Sequence, residues 1–446
     1  MAETWLILLL IMIAGLLLRV AWRPALILEY PYFIAGVFAV FILPQAFSLV
    51  RFKGAVSYDA ISDVILMSCL CLGAAVMGYR ISPSNRVLIQ ASRQVNETRI
   101  GQVGLVFLIC GFLFSYLLGR VEIKVADSGG MTGIATIYLF FAGLGFHGLA
   151  IFWFLLLREF TWTRLMMVIV GAINPISAIV WAGRREMAVI LGLTFVLGLY
   201  FARRTAPPRW LTFGALAFAM LAIPATGIYR GLVAQGEIRK VRQIDLIANF
   251  KDYFRKESVL ELRNGAAVIQ SCQQSGRYEY GAGYWNQIVF RFVPAQLVGR
   301  DFKLSLMIGR SKLEQTEDAT RFGHEFSVGS TLTGMGDSFK QFGWFGCLFF
   351  AGLAVVFRSF WLAALQPNAL FAQLLYLLIC SSAMRAVTHQ TLDFLPGFIY
   401  QFAFLKLGLW YAGERTPMTR PGVPGQGQPT RSDGAPQRVR YQGRLY

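Results

Sequence analysis

The sequence predicts an all-α protein, a polytopic transmembrane bundle of about eleven spans with a large, partly helical outer loop. Three observations carry that reading. Of the 446 residues, 56% are hydrophobic and only 15% charged, against about 25% charged in an ordinary soluble domain. Apolar runs recur from end to end, most of them near the roughly 18 residues that cross about 30 Å of hydrocarbon. Arginine and lysine are unevenly shared between alternate connections, as they are when one set of loops stays on the cytoplasmic side.

The spans follow in order. The run "TWLILLLIMIAGLLL" has no basic residue before it and no small-residue cleavage site, so it reads as a retained first span rather than a signal peptide. Ten more apolar segments follow at 26–49, 61–79, 102–119, 134–157, 165–182, 187–202, 210–228, 339–362, 369–384 and 393–412. The chain therefore divides into eight spans (1–228), a polar loop (229–338), three spans (339–412) and a basic tail (413–446). The tail is rich in Pro, Gly, Gln and Arg, lacks the aliphatics to bury a core, and is expected to be disordered.

Connections on one side carry 12 Lys and Arg, among them Arg80, Arg99, Arg158, Arg164, Arg203 and Arg209, and those on the other carry 7. The basic tail falls with the larger set. The positive-inside rule then puts the N-terminus outside, the C-terminus in the cytoplasm and the long loop outside. The net charge of +18 belongs to this asymmetry and to anionic headgroups, not to nucleic acid. Cys69, Cys71, Cys110, Cys347 and Cys380 sit in apolar segments, Cys272 stands alone in a polar stretch, and no disulfide framework or zinc spacing emerges. No internal repeat or symmetric pair of broken helices marks a transporter.

One connection goes against the charge rule. "WAGRREMAVI" places Arg184, Arg185 and Glu186 between two spans at the outer face, where an arginine pair has an insertion cost that calls for a functional reason. The outer loop is also more than a linker. Ile244, Ile247, Phe250 and Phe254 make one face of an amphipathic helix suited to the outer leaflet or to packing on the bundle. Helical runs are expected at Val259–Gln273 and Tyr284–Phe292, the latter stopped by Pro294, with Arg291, Arg300 and Lys303 nearby. His324, Glu325 and Asp337 follow in a Gly-, Ser- and Thr-rich stretch, and Gly343 and Gly346 open the ninth span, where they allow a helix or a lipid to approach. Arg385, His389 and Asp393, spaced by four, share one face if helix runs through them.

Three segments in this order, "AGRREMAV", "VPAQLVGRDFK" and "GMGDSFKQFGWFG", resemble bacterial O-antigen polymerases, the oligosaccharide repeat-unit polymerases. The likeness covers roughly residues 164–365; Ala295 and Gln296 follow Pro294 where the family commonly has Arg. The resemblance implies a metal- and cofactor-independent glycosyltransferase at the periplasmic face of the bacterial inner membrane. Its partners would be a donor and an acceptor oligosaccharide on polyprenyl diphosphate, membrane lipids and a chain-length regulator protein.

That chemistry needs cations to neutralise the leaving diphosphate, and the planar guanidinium fork meets phosphate oxygens two at a time. Arg184, Arg185 and Arg385 are the candidates. His389, Glu186 and Asp337 are candidates to take the acceptor proton, His389 first because imidazole titrates near neutrality. Arg291, Arg300, His324 and Glu325 are candidates to bind sugar. No metal is indicated, since neither Asp-x-Asp nor His-Glu-x-x-His occurs. The alternative functions are an O-antigen ligase and a transporter or flippase for the same lipid-linked sugars.

Overall fold

The structure, a computed structural model, describes residues 1–81, 95–122, 124–125, 131–253, 261–309, 331–366 and 369–413. His324, Glu325, Phe254 and the tail lie outside them. The fold is an all-α helical bundle, and among the described residues eleven helices are long and apolar enough to cross a membrane. Among the described residues, extended pairing is a two-residue ladder, Lys124–Val125 with Met131–Thr132, and one bridge, Val95 to Gly413.

The spans are Ala2–Trp22, Tyr30–Arg51, Tyr58–Gly78, Glu97–Leu118, Ile134–Arg158, Trp162–Val180, Arg185–Arg203, Arg209–Ala234, Thr333–Ala364, Leu370–Thr388 and Thr391–Ala412. Several are not regular. In the second, Pro44 has no amide hydrogen to donate, and a π-turn at Phe38–Ile42 absorbs the fault immediately before it. The fifth breaks at Gly143, and the sixth and eighth carry Pro175 and Pro224.

The tenth span is the centre of the bundle. In its most apolar 18-residue window 94% of positions are buried, and it packs against the second, fifth, seventh, ninth and eleventh spans. A helix apolar all round is a core helix. Its Tyr376 hydroxyl donates to Leu28 O at 2.6 Å.

Polar contacts gather the connections onto two faces, as the alternation of spans requires. On one face Glu97 pairs with Arg158 at 3.2 Å and Arg164 at 3.3 Å, Asn96 N–H donates to Ala412 O at 2.9 Å, and Arg204 reaches Leu365 O at 2.7 Å. On the other lie the 181–184 turn, the described loop residues 235–253 and 261–309, and residues 385–393. We call this the loop face.

The loop adds one feature on which the sequence reading was silent. The helix expected at 259–273 runs Glu261–Ser275, and it is no outer appendage: it is buried among the second, third and ninth spans. Its polar residues explain how. Gln45 Oε1 accepts from Leu262 N–H at 2.9 Å, Arg263 donates to Phe52 O at 2.7 Å, and Gln273 donates to Asp63 at 2.7 Å. Hydrogen bonds to the tops of the spans replace the water that these groups give up. Cys272, isolated in the sequence, is buried in this helix.

The amphipathic helix Leu246–Tyr253 packs over the eighth span, with Ile247 left exposed. The glycines entering the ninth span serve close packing there. A Cβ on Gly336 would stand 2.6 Å from Gly265 Cα, and one on Gly334 would run into Ala386 O at 1.8 Å.

Candidate functional site

Two helix ends meet at the loop face with their charges in the favoured order. Glu186 occupies the first turn of the seventh span and Arg385 the last turn of the tenth. An anion at a helix N-terminus and a cation at a C-terminus each complement the local dipole. The two join in an ion pair, Arg385 Nε to Glu186 Oε1, at 3.2 Å, both side chains about one-third or less exposed. Glu186 is thus the counter-ion that holds Arg385 in place.

His389 follows directly, with its N–H on Arg385 O at 2.8 Å. Its Nδ1 lies 2.8 Å from Thr388 Oγ1, and that hydroxyl donates its one hydrogen to Met384 O at 3.1 Å. With the hydroxyl hydrogen on Met384 O, the Nδ1–H tautomer donates to that hydroxyl and leaves Nε2 its lone pair. Although His389 is exposed, desolvation by the surrounding protein lowers its pKa, with Glu186 and Asp393 pulling the other way. The ring is neutral at neutral pH and presents a basic nitrogen.

Beyond Arg385 lies a small polar cavity of about 40 Å³ lined by Gln287, Arg291, Arg385, Asp393, Pro396 and Gly397. That is room for roughly three waters or the oxygens of a small anion, not for a sugar ring. Gln287 Nε2 donates to Asp393 Oδ1 at 3.0 Å, which ties the loop helix Ala282–Phe292 to the start of the eleventh span. Arg291, on the same helix, is partly open to solvent. Desolvation, then the Arg385 charge, lowers its pKa, and Asp393 counters. An anion beside Arg291 would offset the neighbouring Arg385 charge.

The arginine turn borders the same region. Arg184 is exposed and makes no side-chain hydrogen bond among the described residues. Arg185 donates to Ile223 O of the eighth span at 3.2 Å and lies within electrostatic range of His389 and Glu261. Burial raises the Glu261 carboxyl above its usual range, with Arg185 opposing.

The structure therefore brings Arg185, Glu186, Arg385, His389 and Arg291 into one neighbourhood, with Arg184 at its edge. Asp337 stands apart. It is 1% exposed and accepts from Thr391 Oγ1 and, at 3.1 Å, from Leu392 N–H. Tyr284 completes that network through Thr391 at 2.9 Å. With its bonds turned inward, Asp337 caps the start of the eleventh span instead of facing the opening. Arg300 is exposed on the short helix Arg300–Ser305 and bonds to none of the cavity's lining residues among the described residues; its neighbour Lys303 turns onto the Phe290 carbonyl at 2.9 Å.

Sequence reasoning missed Gln287 and Glu261. Gln287 is uncharged and Glu261 is one of several charges in its run, and both reach the site only because loop helices dock on the bundle. Compared with known proteins, the chain matches no family model, and no curated protein or solved structure is significantly similar to it.

Proposed function

We propose that the loop face is the periplasmic face of a bacterial inner-membrane glycosyltransferase that joins lipid-linked oligosaccharide repeat units into a polysaccharide. The observation that carries this reading is the convergence of Arg385, Arg185 and Arg291 on one side of a bundle, beside a histidine whose Nε2 is free to accept a proton. The resemblance of the three sequence motifs supports the polyprenyl diphosphate donor.

In this mechanism the bond from the donor sugar's anomeric carbon to the diphosphate oxygen breaks, and an acceptor hydroxyl oxygen bonds to that carbon. The hydroxyl proton passes to His389 Nε2. The charge that develops on the diphosphate meets guanidinium groups already in place, and preorganised charge is where an enzyme gains most. Glu186 keeps the Arg385 fork aimed, and the Gln287–Asp393 bond holds the loop helix carrying Arg291 against the bundle. The cavity between Arg291 and Arg385 accommodates phosphate oxygens while the sugar lies outside it.

The test is the polysaccharide ladder of a deletion strain complemented in turn with Arg185→Ala, Arg385→Ala and Arg184→Ala, at matched protein level. Loss of long chains with single units still attached supports the polymerase. Loss of every attached unit supports a ligase, and normal ladders from all three rule out both. A flippase instead predicts that lipid-linked units accumulate on the cytoplasmic leaflet.

A further inference from the structure

The eighth span grips the arginine turn from the side and has no part in the mechanism above. The turn is a four-residue connection between Val180 and Arg185, and carbonyls at the end of a helix need partners from elsewhere. Here they come from two consecutive residues of the eighth span. The Tyr229 hydroxyl donates to Val180 O at 2.6 Å, and Arg230 donates through Nε at 3.3 Å and its terminal nitrogen at 3.2 Å to Gly183 O.

The turn is shaped to receive them. Gly183 adopts φ +57°, a left-handed conformation that glycine tolerates best. A Cβ there would come within 2.9 Å of Arg230 Cγ and 3.1 Å of the Tyr229 ring. The Arg184 N–H closes back on Ala178 O at 3.1 Å, and Arg185 ties to Ile223 O, two turns from Arg230 and on the same face of the eighth span. These bonds are not a by-product of extensive packing. The eighth span packs on the segments Pro24–Leu28 and Phe38–Ile42 and on the helices of the loop, and has no extended interface with the sixth or seventh span.

We propose that Tyr229 and Arg230 are positioning residues for an anionic lipid ligand. They clamp the Trp181–Arg184 turn and thereby fix where Arg184 and Arg185 point. The inference rests on the function proposed above, and it adds a second helix to the residues on which diphosphate affinity depends.

The experiment is equilibrium binding of undecaprenyl diphosphate to the purified full-length protein in lipid nanodiscs, with melting temperature and amide hydrogen exchange of the turn measured on the same samples without lipid. Tyr229→Phe deletes one hydroxyl and should weaken binding about fivefold, the effect of one lost hydrogen bond. Arg230→Ala should weaken it roughly tenfold or more, with part recovered in Arg230→Lys, which keeps a donor. In both deletions the Arg184 amide should exchange faster while the melting temperature stays that of the wild type.

Wild-type affinity and exchange in Tyr229→Phe and Arg230→Ala would overturn the clamp, as would affinity and melting temperature falling together, which marks a general structural role. Failure of the functional reading has a different signature: no binding by the wild type, or undiminished binding by Arg184→Ala and Arg385→Ala. Faster exchange in the two deletions would then show a clamp without its ligand, and the positioning role would fall with the reading beneath it.

Discussion

At His389 the location of one proton decides what the residue can do. The bond from Thr388 to Met384 O favours the tautomer with the imidazole hydrogen on Nδ1. Because the surrounding protein lowers the pKa of His389, the neutral base is the dominant form at neutral pH and is lost only as pH falls through that lowered value. Transfer activity in membranes should therefore persist down to pH values below the ordinary imidazole pKa of about 6.5 and then decline. A decline that begins at neutral pH would remove His389 as the base. For the cations, Arg385→Ala should reduce turnover roughly hundredfold, the usual cost of removing one preorganised charge-stabilising group, while Arg385→Lys should retain part of it because a point charge cannot reproduce the fork. Asp337 should behave differently. Asp337→Ala strands the Leu392 amide in a buried site and leaves the Thr391 hydroxyl with Tyr284 alone, a loss of about 1–3 kcal/mol for the orphaned amide. A thermal melt should show that loss, where Arg385→Ala gives a smaller one from its partly exposed ion pair. The sequence could name both acids, yet only packing separates the enclosed Asp337 from Glu186, which meets Arg385 at the ends of two helices.

The elements differ in how much of them periodicity reveals. A transmembrane helix has to satisfy its backbone internally and present a long apolar surface, so all eleven spans were legible in the sequence to within a few residues at most ends. The helix Glu261–Ser275 was legible as a helix but not as a buried one. Its polar residues, Arg263, Asn264, Gln270 and Gln273, look like a solvated face until their partners at Phe52, Thr331, Ser57 and Asp63 are seen. The same holds for the entry to the ninth span, where glycine density reads equally as ligand approach or as close packing. Packing is what Gly334 and Gly336 do, against Ala386 O and Gly265. Gly334→Val should accordingly displace the ninth span from the tenth and reduce the amount of folded protein in membranes, measured by detergent-resistant fluorescence of a fused reporter. Unchanged folded yield would contradict the close approach.

For the molecule as a whole, the arrangement follows from one division of labour. The tenth span, enclosed by its neighbours, holds Arg385 and His389 still, and less enclosed elements, the arginine turn and the loop helix Ala282–Phe292, bring further groups to them. Chain order alone gives no hint that residues near 185, 291 and 385 meet, because three separate connections deliver them to one face. The alternation of spans did give that face, and the contacts at Glu97, Asn96 and Arg204 on the opposite face agree with the same alternation. The central claim is that this face grips a lipid diphosphate. Its most direct test is cross-linking of a photoactivatable polyprenyl diphosphate to the protein in membranes, with the attachment sites mapped by mass spectrometry. The account predicts attachment in the peptides spanning 181–190 and 385–397, competed by unlabelled polyprenyl diphosphate. Attachment confined to the opposite face, around Glu97, Arg158 and Arg204, would contradict it.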